Sequence, residues 1–372
     1  MSLIATRMQP WRLANPNLDR NMTRPAEYGA LDLFRTETES GTGIISAETR
    51  RRVFASMGNT VNIPVINYDG NVAVSNARTC TIADLENTSA LVSLTFATYQ
   101  VGFTMVPALF MNNDISYEHD FARKMEKVSR ALADALDKAA VAKLEADKTQ
   151  VFADLLYYTQ AGNAIQAPWA MRQEILGDLT PIMRANDYRT PIHLVGGAGL
   201  DSLILKLAQH GVYNDVNKRL EFEGKVLHYS NNVTKETGKF ASLFAVAEGN
   251  VAMLTRVDRE AFAGTKTFNH EWGVVNMPYS GIEVGSHYYR EVGDQSAIAG
   301  ASSADMTCNV KEYFGFSVDV AFLTAYNSDP ATIANPIVKV DIAAPAGGNP
   351  VAVPVEVTNT EANPVNMKTV GA

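Results

Sequence analysis

The sequence has few cysteines and no large cluster of basic residues. Only two of the 372 residues are cysteines, Cys80 and Cys308, so a disulfide framework is excluded and two reduced thiols are expected. Forty acidic side chains against 32 basic ones give a net charge of −8, and the main basic run is Arg50–Arg52. This balance argues against a general nucleic-acid-binding protein, because phosphate contacts need clustered Lys and Arg.

Long apolar runs are also absent. The densest run, "GFTMVPALFM" at 102–111, contains Pro107 and is shorter than the roughly 20 apolar residues that span a bilayer. The first residues, "MSLIATRMQPWRL", have neither the basic start nor the apolar centre of a secretory signal. Because 46% of the residues are hydrophobic and 19% are charged, we expect a soluble intracellular protein with a sizeable core and no membrane partner.

Motifs for catalysis and metal binding are missing or incomplete. Gly196, Gly197 and Gly199 stand between a predicted strand and helix, where backbone N–H groups can hold a phosphate. The run completes neither G-x-x-x-x-G-K-[ST] nor G-x-G-x-x-G, so we interpret it as a turn that requires positive φ. No two of the six histidines have metal-ligand spacing: His119, His193, His210, His228, His270 and His287. We therefore expect no catalytic residue, cofactor or metal, and keep an α/β enzyme that binds a phosphorylated ligand at the glycine turn as an alternative.

Glycine and proline are absent from residues 108–161, the longest such interval in the chain. Residues 111–150 predict one long helix, on the order of 50 Å, with Asp114 or Ser116 as its N-cap. Apolar side chains recur at helical spacing, and this stripe thins to alanines beyond Leu136: Tyr117, Phe121, Met125, Val128, Leu132 and Leu136. The opposite face carries acid-first i,i+4 pairs, Asp120–Lys124, Glu126–Arg130 and Asp134–Lys138. The mean spacing of the stripe is nearer 3.7 than 3.5 residues, which disfavours a coiled coil.

The segments on either side of this helix differ in character. Residues 1–45 have scattered apolar side chains without a period and predict an extended arm. Residues 53–110 are rich in Val, Thr, Phe and Tyr and predict strands, with a hairpin turn at Asp69–Gly70. From about 160 the pattern is mixed α/β, and Pro181 predicts two helical pieces rather than one. Residues 344–372 are rich in Pro, Ala, Val and Asn, as in a tail or linker.

This order of segments resembles a major capsid protein of tailed bacteriophages. The resemblance is strongest in "TFATYQVGFTMVPALFMNNDISYEHDFARKMEKVSRALADALDKAA", and continues in "TPIHLVGGAGLDSLILKLAQHGVYND" and "NVKEYFGFSVDVAFLTAYNSDPATIANPI". It implies an α+β capsid fold divided as follows: an N-terminal arm (1–46), an extended β E-loop (47–110), a peripheral domain with a long spine helix (111–160), an α/β axial domain (161–281), returning peripheral and axial strands (282–343) and a C-terminal tail (344–372).

The resemblance also implies a function. The protein would form hexamers and pentamers of an icosahedral virion shell, assembled in the host cytoplasm around double-stranded DNA without sequence-specific contact. Further partners would be a scaffolding protein, a portal, a maturation protease and a decoration protein. The alternative with the same fold is a cellular nanocompartment shell that encloses cargo proteins. Assembly contacts are expected at the arm and at the E-loop tip: Trp11, Arg12, Tyr68, Asp69 and Gly70.

Overall fold

The computed structural model describes residues 27–40, 44–54, 60–66, 89–110, 116–188, 191–200, 203, 212–214, 219–222, 225–292 and 310–345. The helices with defined bounds are α1 (Gly29–Glu39), α2 (Ala47–Phe54), α3 (Tyr117–Ala146), α4 (Glu174–Ala185) and α5 (Arg259–Ala263). The strands are β1 (Thr60–Ile66), β2 (Ser89–Thr95), β3 (Ala97–Met105), β4 (Thr159–Ala161), β5 (Ala164–Ala167), β6 (Ile192–Gly196), β7 (Val212–Asn214), β8 (Arg219–Phe222), β9 (Lys225–Tyr229), β10 (Lys239–Ala247), β11 (Val251–Arg256), β12 (His270–Asn276), β13 (Glu283–Val292), β14 (Val310–Thr324) and β15 (Ile337–Ala343). Short 3₁₀ turns lie at Pro107–Phe110 and Trp169–Met171.

The larger sheet has eight strands in the order β4-β5-β15-β10-β6-β9-β8-β7. Its pairings are antiparallel except for β5 with β15 and β6 with β9. The central strands are buried on both faces. In β10, Phe244 and Val246 contact one core, whereas Leu243 and Ala245 contact another that includes Leu179 of α4. This alternation follows from the two-residue period of a strand.

The smaller sheet is built on β14, which is 15 residues long. One edge of β14 pairs with β3, and the other pairs with β13 and then with β11; β12 pairs with β13. Alternate residues of β14 are buried against α3, and Phe314 stacks on Phe103 of β3 with 5.1 Å between ring centroids. Phe121 of α3 contacts both rings edge-on. These aromatic contacts fix α3 across the sheet.

Helix α3 is shorter than the predicted one. It begins after Ser116, whose hydroxyl accepts the N–H of His119 as an N-cap, and it ends at Ala146. Helix α3 does not continue past Ala146. The apolar repeat ends at Leu144, and the Thr149 N–H donates to the carbonyl of Ile337 instead of to the preceding turn of the helix. Its 30 residues rise about 45 Å. The three predicted ion pairs are present, at 2.7, 2.8 and 2.6 Å in chain order.

The segment predicted as an extended arm contains a helix, so that expectation is wrong for residues 29–39. Helix α1 buries Leu31, Leu33 and Phe34 completely in the same core as α3. Phe34 contacts Phe322 edge-on at 5.1 Å. Three apolar side chains in four residues are too closely spaced to show a helical stripe, but a helix packed between a sheet and another helix buries them on two sides.

Further expectations also differ from the structure. Residues 47–54, expected in an extended segment, form α2. The run "ALVSLTFATYQVGFTMVP" at 90–107, which its composition predicts as one extended strand, forms the two strands β2 and β3, separated by Phe96. Helix α4 passes through Pro181 without a break, although proline removes one backbone hydrogen bond, because burial of its apolar face outweighs that loss. The boundary predicted at 281 falls within the smaller sheet, since β11 and β12 pair with strands that follow it.

Candidate functional site

The strands β1 and β2 form a two-stranded flap that has few packing contacts with the rest of the described structure. The strands pair antiparallel from Thr60–Thr95 to Ile66–Ser89, and among the described strands they belong to no larger sheet. One face, with Val92 and Leu94, turns toward the body of the protein, whereas Leu91 on the other face is 70% exposed. A two-stranded ribbon is at best marginally stable in water, so this flap needs a covering surface.

The base of the flap is held by a charged and aromatic cluster. Arg256 donates through Nε to Asp319 Oδ2 at 2.9 Å, and its guanidinium lies 4.4 Å from the ring centre of Phe96. Thr98 donates to the other carboxylate oxygen of Asp319 at 2.6 Å. Because Phe96 is the residue between β2 and β3, this cluster fixes the point at which the flap leaves the smaller sheet.

An apolar cleft of about 460 Å³ lies beneath the flap. The cleft is lined by the flap, by the residues just before α2 and by the end of β14. Its apolar lining includes Ile44, Ile45, Ile63, Val92, Leu94 and Phe322. Other large apolar side chains are exposed away from the cleft, and Phe268 is fully exposed near half-exposed Phe262. Exposed apolar groups of this size are typical of surfaces that other proteins cover.

The predicted stripe of α3 is distributed between two environments. Phe121, Met125, Leu132 and Leu136 are buried, whereas Tyr117 and Val128 are half-buried at its edge. Beyond Leu136 the sequence predicts that the stripe continues as Ala139, Ala142 and Ala146, whereas the buried apolar positions are Ala140 and Leu144. The other predicted contacts, Trp11, Arg12, Tyr68, Asp69 and Gly70, lie outside the described residues.

A buried carboxylate, Asp137, was not predicted. It lies within the α3 face and accepts the N–H of Leu31 at 2.9 Å, the hydroxyl of Ser230 and the amide of Asn232 at 2.9 Å. Burial raises the pKa of Asp137 by more than these hydrogen bonds lower it. The residue joins α3 to α1 and to the end of β9, and because it lies beside the stripe position Leu136 rather than within the repeat, no local pattern in the sequence marks it.

The glycine turn after β6 is packed against other parts of the protein. A Cβ at Gly197 would collide with the carbonyl oxygen of Val233, and one at Gly196 would collide with Leu200. Neither glycine has positive φ, so the prediction that the turn requires glycine for its backbone conformation is wrong. Glycine is required there because the neighbouring atoms leave no room for a side chain. A carbonyl oxygen over Gly197 repels phosphate, which removes support from the phosphorylated-ligand alternative.

The structure brings histidines together that the sequence does not associate. His193 Nδ1 lies 3.0 Å from His228 Nε2 on the neighbouring parallel strand, and His270 Nδ1 lies 2.9 Å from His287 Nε2 on the neighbouring antiparallel strand. Members of each pair are far apart in the chain, so only strand pairing reveals them. Burial and the proximity of His270 lower the pKa of His287.

The buried pair is flanked by carboxylates from α1. Glu37 Oε1 lies 3.0 Å from His193 Nε2, and Asp32 Oδ2 lies 3.4 Å from His228 Nδ1. The other oxygen of Glu37 accepts the N–H of Gly249 in the turn between β10 and β11. Burial raises the pKa of Glu37, but contact with His193 and the Gly249 N–H lowers it further, leaving it below its usual value.

The described part of the chain contains no helix that is long and apolar enough to cross a bilayer. No family profile and no curated protein sequence matches the chain.

Solved structures of bacteriophage chains are similar to this one. A chain of the Cyanophage A-1(L) capsid asymmetric unit superposes with a TM-score of 0.51 at 12% identity, covering 88% of this chain and 96% of that chain. The capsid of Ralstonia phage GP4 gives a TM-score of 0.48 at 8% identity, with coverage of 91% and 98%. A chain of Mycobacterium phage Adephagia gives 0.47 at 12% identity, with coverage of 93% and 99%. The first of these scores exceeds 0.5, and the fold is that of a bacteriophage capsid chain, which confirms the resemblance seen in the sequence.

Proposed function

We propose that this protein is the major capsid subunit of a tailed bacteriophage, and that copies of it form the hexamers and pentamers of an icosahedral shell around double-stranded DNA. One observation carries the proposal: the similarity to the cyanophage capsid chain extends over 88% of this chain and 96% of that one. A capsid fold retained over nearly a whole chain favours a shell role over a catalytic one.

The distribution of apolar surface supports this function. The flap carries exposed Leu91 and covers an incompletely filled cleft, and Phe262 on α5 and Phe268 just before β12 are also exposed. A monomer gains nothing from these groups, whereas large obligate interfaces bury such surface. The net charge of −8 is compatible with a container wall that does not grip DNA tightly.

The sheets support an assignment of the parts of the proposed shell subunit. We assign the flap to the E-loop (47–110) and α3 to the spine helix of the peripheral domain (111–160). The eight-stranded sheet with α4 would form the core of the axial domain, which the sequence places at 161–281, and it is completed by β15 from the returning segment (282–343); β11 and β12 within that range belong to the smaller sheet. The arm (1–46) and tail (344–372) would contact neighbouring subunits. Scaffolding protein, portal and decoration protein are the expected partners, and the virion capsid assembled in the host cytoplasm is the expected location.

Electron microscopy of the purified protein tests the proposal. The chain is expressed alone and together with the genes adjacent to its own, and fractionated by size. Closed shells or rings of five and six subunits are expected. Monomers in both expressions would contradict the proposal. Shells that contain protein cargo rather than DNA when isolated from their natural source would favour the nanocompartment instead.

Two variants connect the microscopy to the proposed contacts. Deletion of Tyr68, Asp69 and Gly70 is expected to leave the subunit folded and to abolish regular shells, because the tip of the E-loop would then fail to reach its neighbour. Lys138→Ala, which removes an exposed ion pair on α3, is the control and should assemble normally. Regular shells from the deletion variant would show that this tip is not an assembly contact.

A further inference from the structure

We propose that Glu37, His193 and Glu248 form a binding site for a divalent transition-metal ion. The three residues come from α1, β6 and the turn between β10 and β11. One ligand atom of each lies within 4.8 Å of the other two. Glu37 and His193 are buried, and Glu248 is exposed at the rim. The site therefore has a fixed interior and an entry from solvent.

The orientation of His193 points to an ion. Its Nδ1 is bonded to His228, and its Nε2 is buried without a hydrogen-bond partner. Glu37 Oε1 is only 3.0 Å from Nε2 but does not lie in hydrogen-bonding orientation. In a hydrogen bond the N–H points at its acceptor, whereas two ligands of one metal point at a third position between them. The Nε2–Oε1 pair does not meet the first description, and its short separation is compatible with the second.

The distance between His193 Nε2 and Glu37 Oε1 has the magnitude expected for two ligands of one ion. Ligands held at about 2.1 Å from one ion are separated by about 3.0 Å at octahedral angles and about 3.4 Å at tetrahedral ones. The 3.0 Å between Nε2 and Oε1 matches adjacent ligands of one ion. A partner on the second ring nitrogen, here His228, is the usual support of a metal-binding imidazole.

The carboxylates are positioned by backbone contacts. Glu37 uses its second oxygen to accept the N–H of Gly249, and the N–H of Glu248 donates to the carbonyl of Pro191 at 3.2 Å, beside β6. The turn that carries Glu248 is thus fixed both to Glu37 and to the strand of His193. One imidazole with two carboxylates favours Zn²⁺, Mn²⁺ or Co²⁺ over Mg²⁺, which prefers oxygen ligands. The remaining coordination positions are open to water.

Bound metal would join α1 to the eight-stranded sheet, so it would act on the stability of the subunit. The site does not depend on the shell function, because the ligands all come from one chain. Its failure and that of the shell proposal are therefore separate results.

The test is metal titration of the purified full chain after treatment with EDTA. Zn²⁺ is followed by calorimetry and by the thermal midpoint, Mg²⁺ serves as the contrasting ion, and Co²⁺ gives a visible spectrum sensitive to nitrogen and oxygen ligands. Glu248→Gln is the main variant, because its side chain is exposed and folding should be unaffected. Glu260→Gln, also exposed but remote in the fold on α5, is the matched control.

Wild type and Glu260→Gln should bind one Zn²⁺ per chain and melt at a higher temperature with Zn²⁺ than with Mg²⁺. Glu248→Gln should keep the metal-free midpoint and bind Zn²⁺ at least about tenfold more weakly. Glu37→Gln should lose binding altogether. The proposal is overturned if wild type binds none of Zn²⁺, Mn²⁺ and Co²⁺ stoichiometrically, which would leave His193 and Glu37 as a simple ion pair. Equal Zn²⁺ affinity of Glu248→Gln and Glu260→Gln would overturn it as well.

Discussion

Strands β2 and β3 belong to one extended run of chain but have different environments. Only Phe96 separates them. Strand β3 pairs with β14 over nine residues and packs on α3 through Phe103 and Met105. Strand β2 pairs with β1 alone, and its Leu91 is largely exposed. Similar composition therefore gives a core strand on one side of Phe96 and a flap on the other.

The difference shows that neighbours, not intrinsic preference, decide how stable a strand is. Residues that favour strands fit a pleated, half-buried surface, and they contribute little where no second layer covers them. In β3 that layer is α3. In the proposed shell, a neighbouring subunit would supply the covering layer for the flap. Burial of β3 then stabilises the folded subunit, whereas burial of β2 would stabilise the assembly.

The largest effect is expected from removing the layer over β3. Phe121→Ala deletes the α3 ring that contacts both Phe103 and Phe314, and should lower the free energy of unfolding by about 3–5 kcal/mol. Denaturant unfolding measures the loss. Lys127→Ala, exposed on the same helix, is the control and should change stability by less than about 0.5 kcal/mol. Equal effects of the two variants would contradict the role assigned to the aromatic contacts.

A smaller effect is expected at the junction between the two strands. Arg256→Met leaves the carboxylate of Asp319 without its ion-pair partner and removes the cation over Phe96, which should cost about 2–3 kcal/mol. Limited proteolysis should cleave the flap faster while β3 stays protected. Arg256→Met combined with Asp319→Leu should recover part of the loss, because no charge is then left unpaired. A double variant as unstable as the sum of its singles would count against this account.

Acid should destabilise the smaller sheet but not the flap, and the effect should be smaller than those of the substitutions above. The pKa of His287 is lowered in the folded protein, mainly by burial, so the unfolded chain takes up a proton first as pH falls. Stability is therefore complete above about pH 6.5 and declines as pH falls through the folded pKa. Strands β1 and β2 contain no titratable side chain.

Hydrogen exchange at pH 7.5 and pH 5.5 checks this difference. Protection should fall in β12 and β13 relative to β1 and β2. His287→Gln cannot take up the proton and should flatten the pH dependence of the smaller sheet. An unchanged dependence in that variant would assign the titration to another group.

The smallest effect on folding is expected within the flap itself. Leu91→Ser replaces an exposed side chain, so the isolated subunit should lose less than about 0.5 kcal/mol. If the flap is a contact between subunits, the yield of shells should nevertheless fall clearly, and counting particles by electron microscopy measures it. Thr95→Ser, also exposed on β2, is the control. Normal shell yield from Leu91→Ser would place the contact elsewhere on the flap.

Some elements are predictable from sequence because their signals are local. Helix α3 has a capping serine, a regular stripe and three i,i+4 ion pairs, each of which depends only on residues a few positions apart. The strands between 225 and 256 and those between 283 and 324 have short apolar runs bounded by turns. The capsid resemblance also followed from the order of such elements.

Other features depend on contacts between distant segments, which a single sequence does not encode locally. Helix α1 forms because Leu31 and Phe34 meet α3 and the sheets, and nothing in residues 29–39 alone shows a stripe. His193 and His228 become neighbours only through the pairing of β6 with β9. The break at Phe96 is set by Arg256 and Asp319, which lie far away in the chain. These are the same features that make up the junction and the proposed metal site.

The position of β15 has a consequence for synthesis on the ribosome. This strand is nearly the last described segment of the chain, yet it lies inside the eight-stranded sheet, where it joins β5 to β10. A nascent chain cannot complete that sheet until residues 337–343 have emerged, so β5 and β10 remain without this partner strand long after they are synthesised. A chain truncated before β15 leaves two unpaired strand edges and remains exposed to proteases.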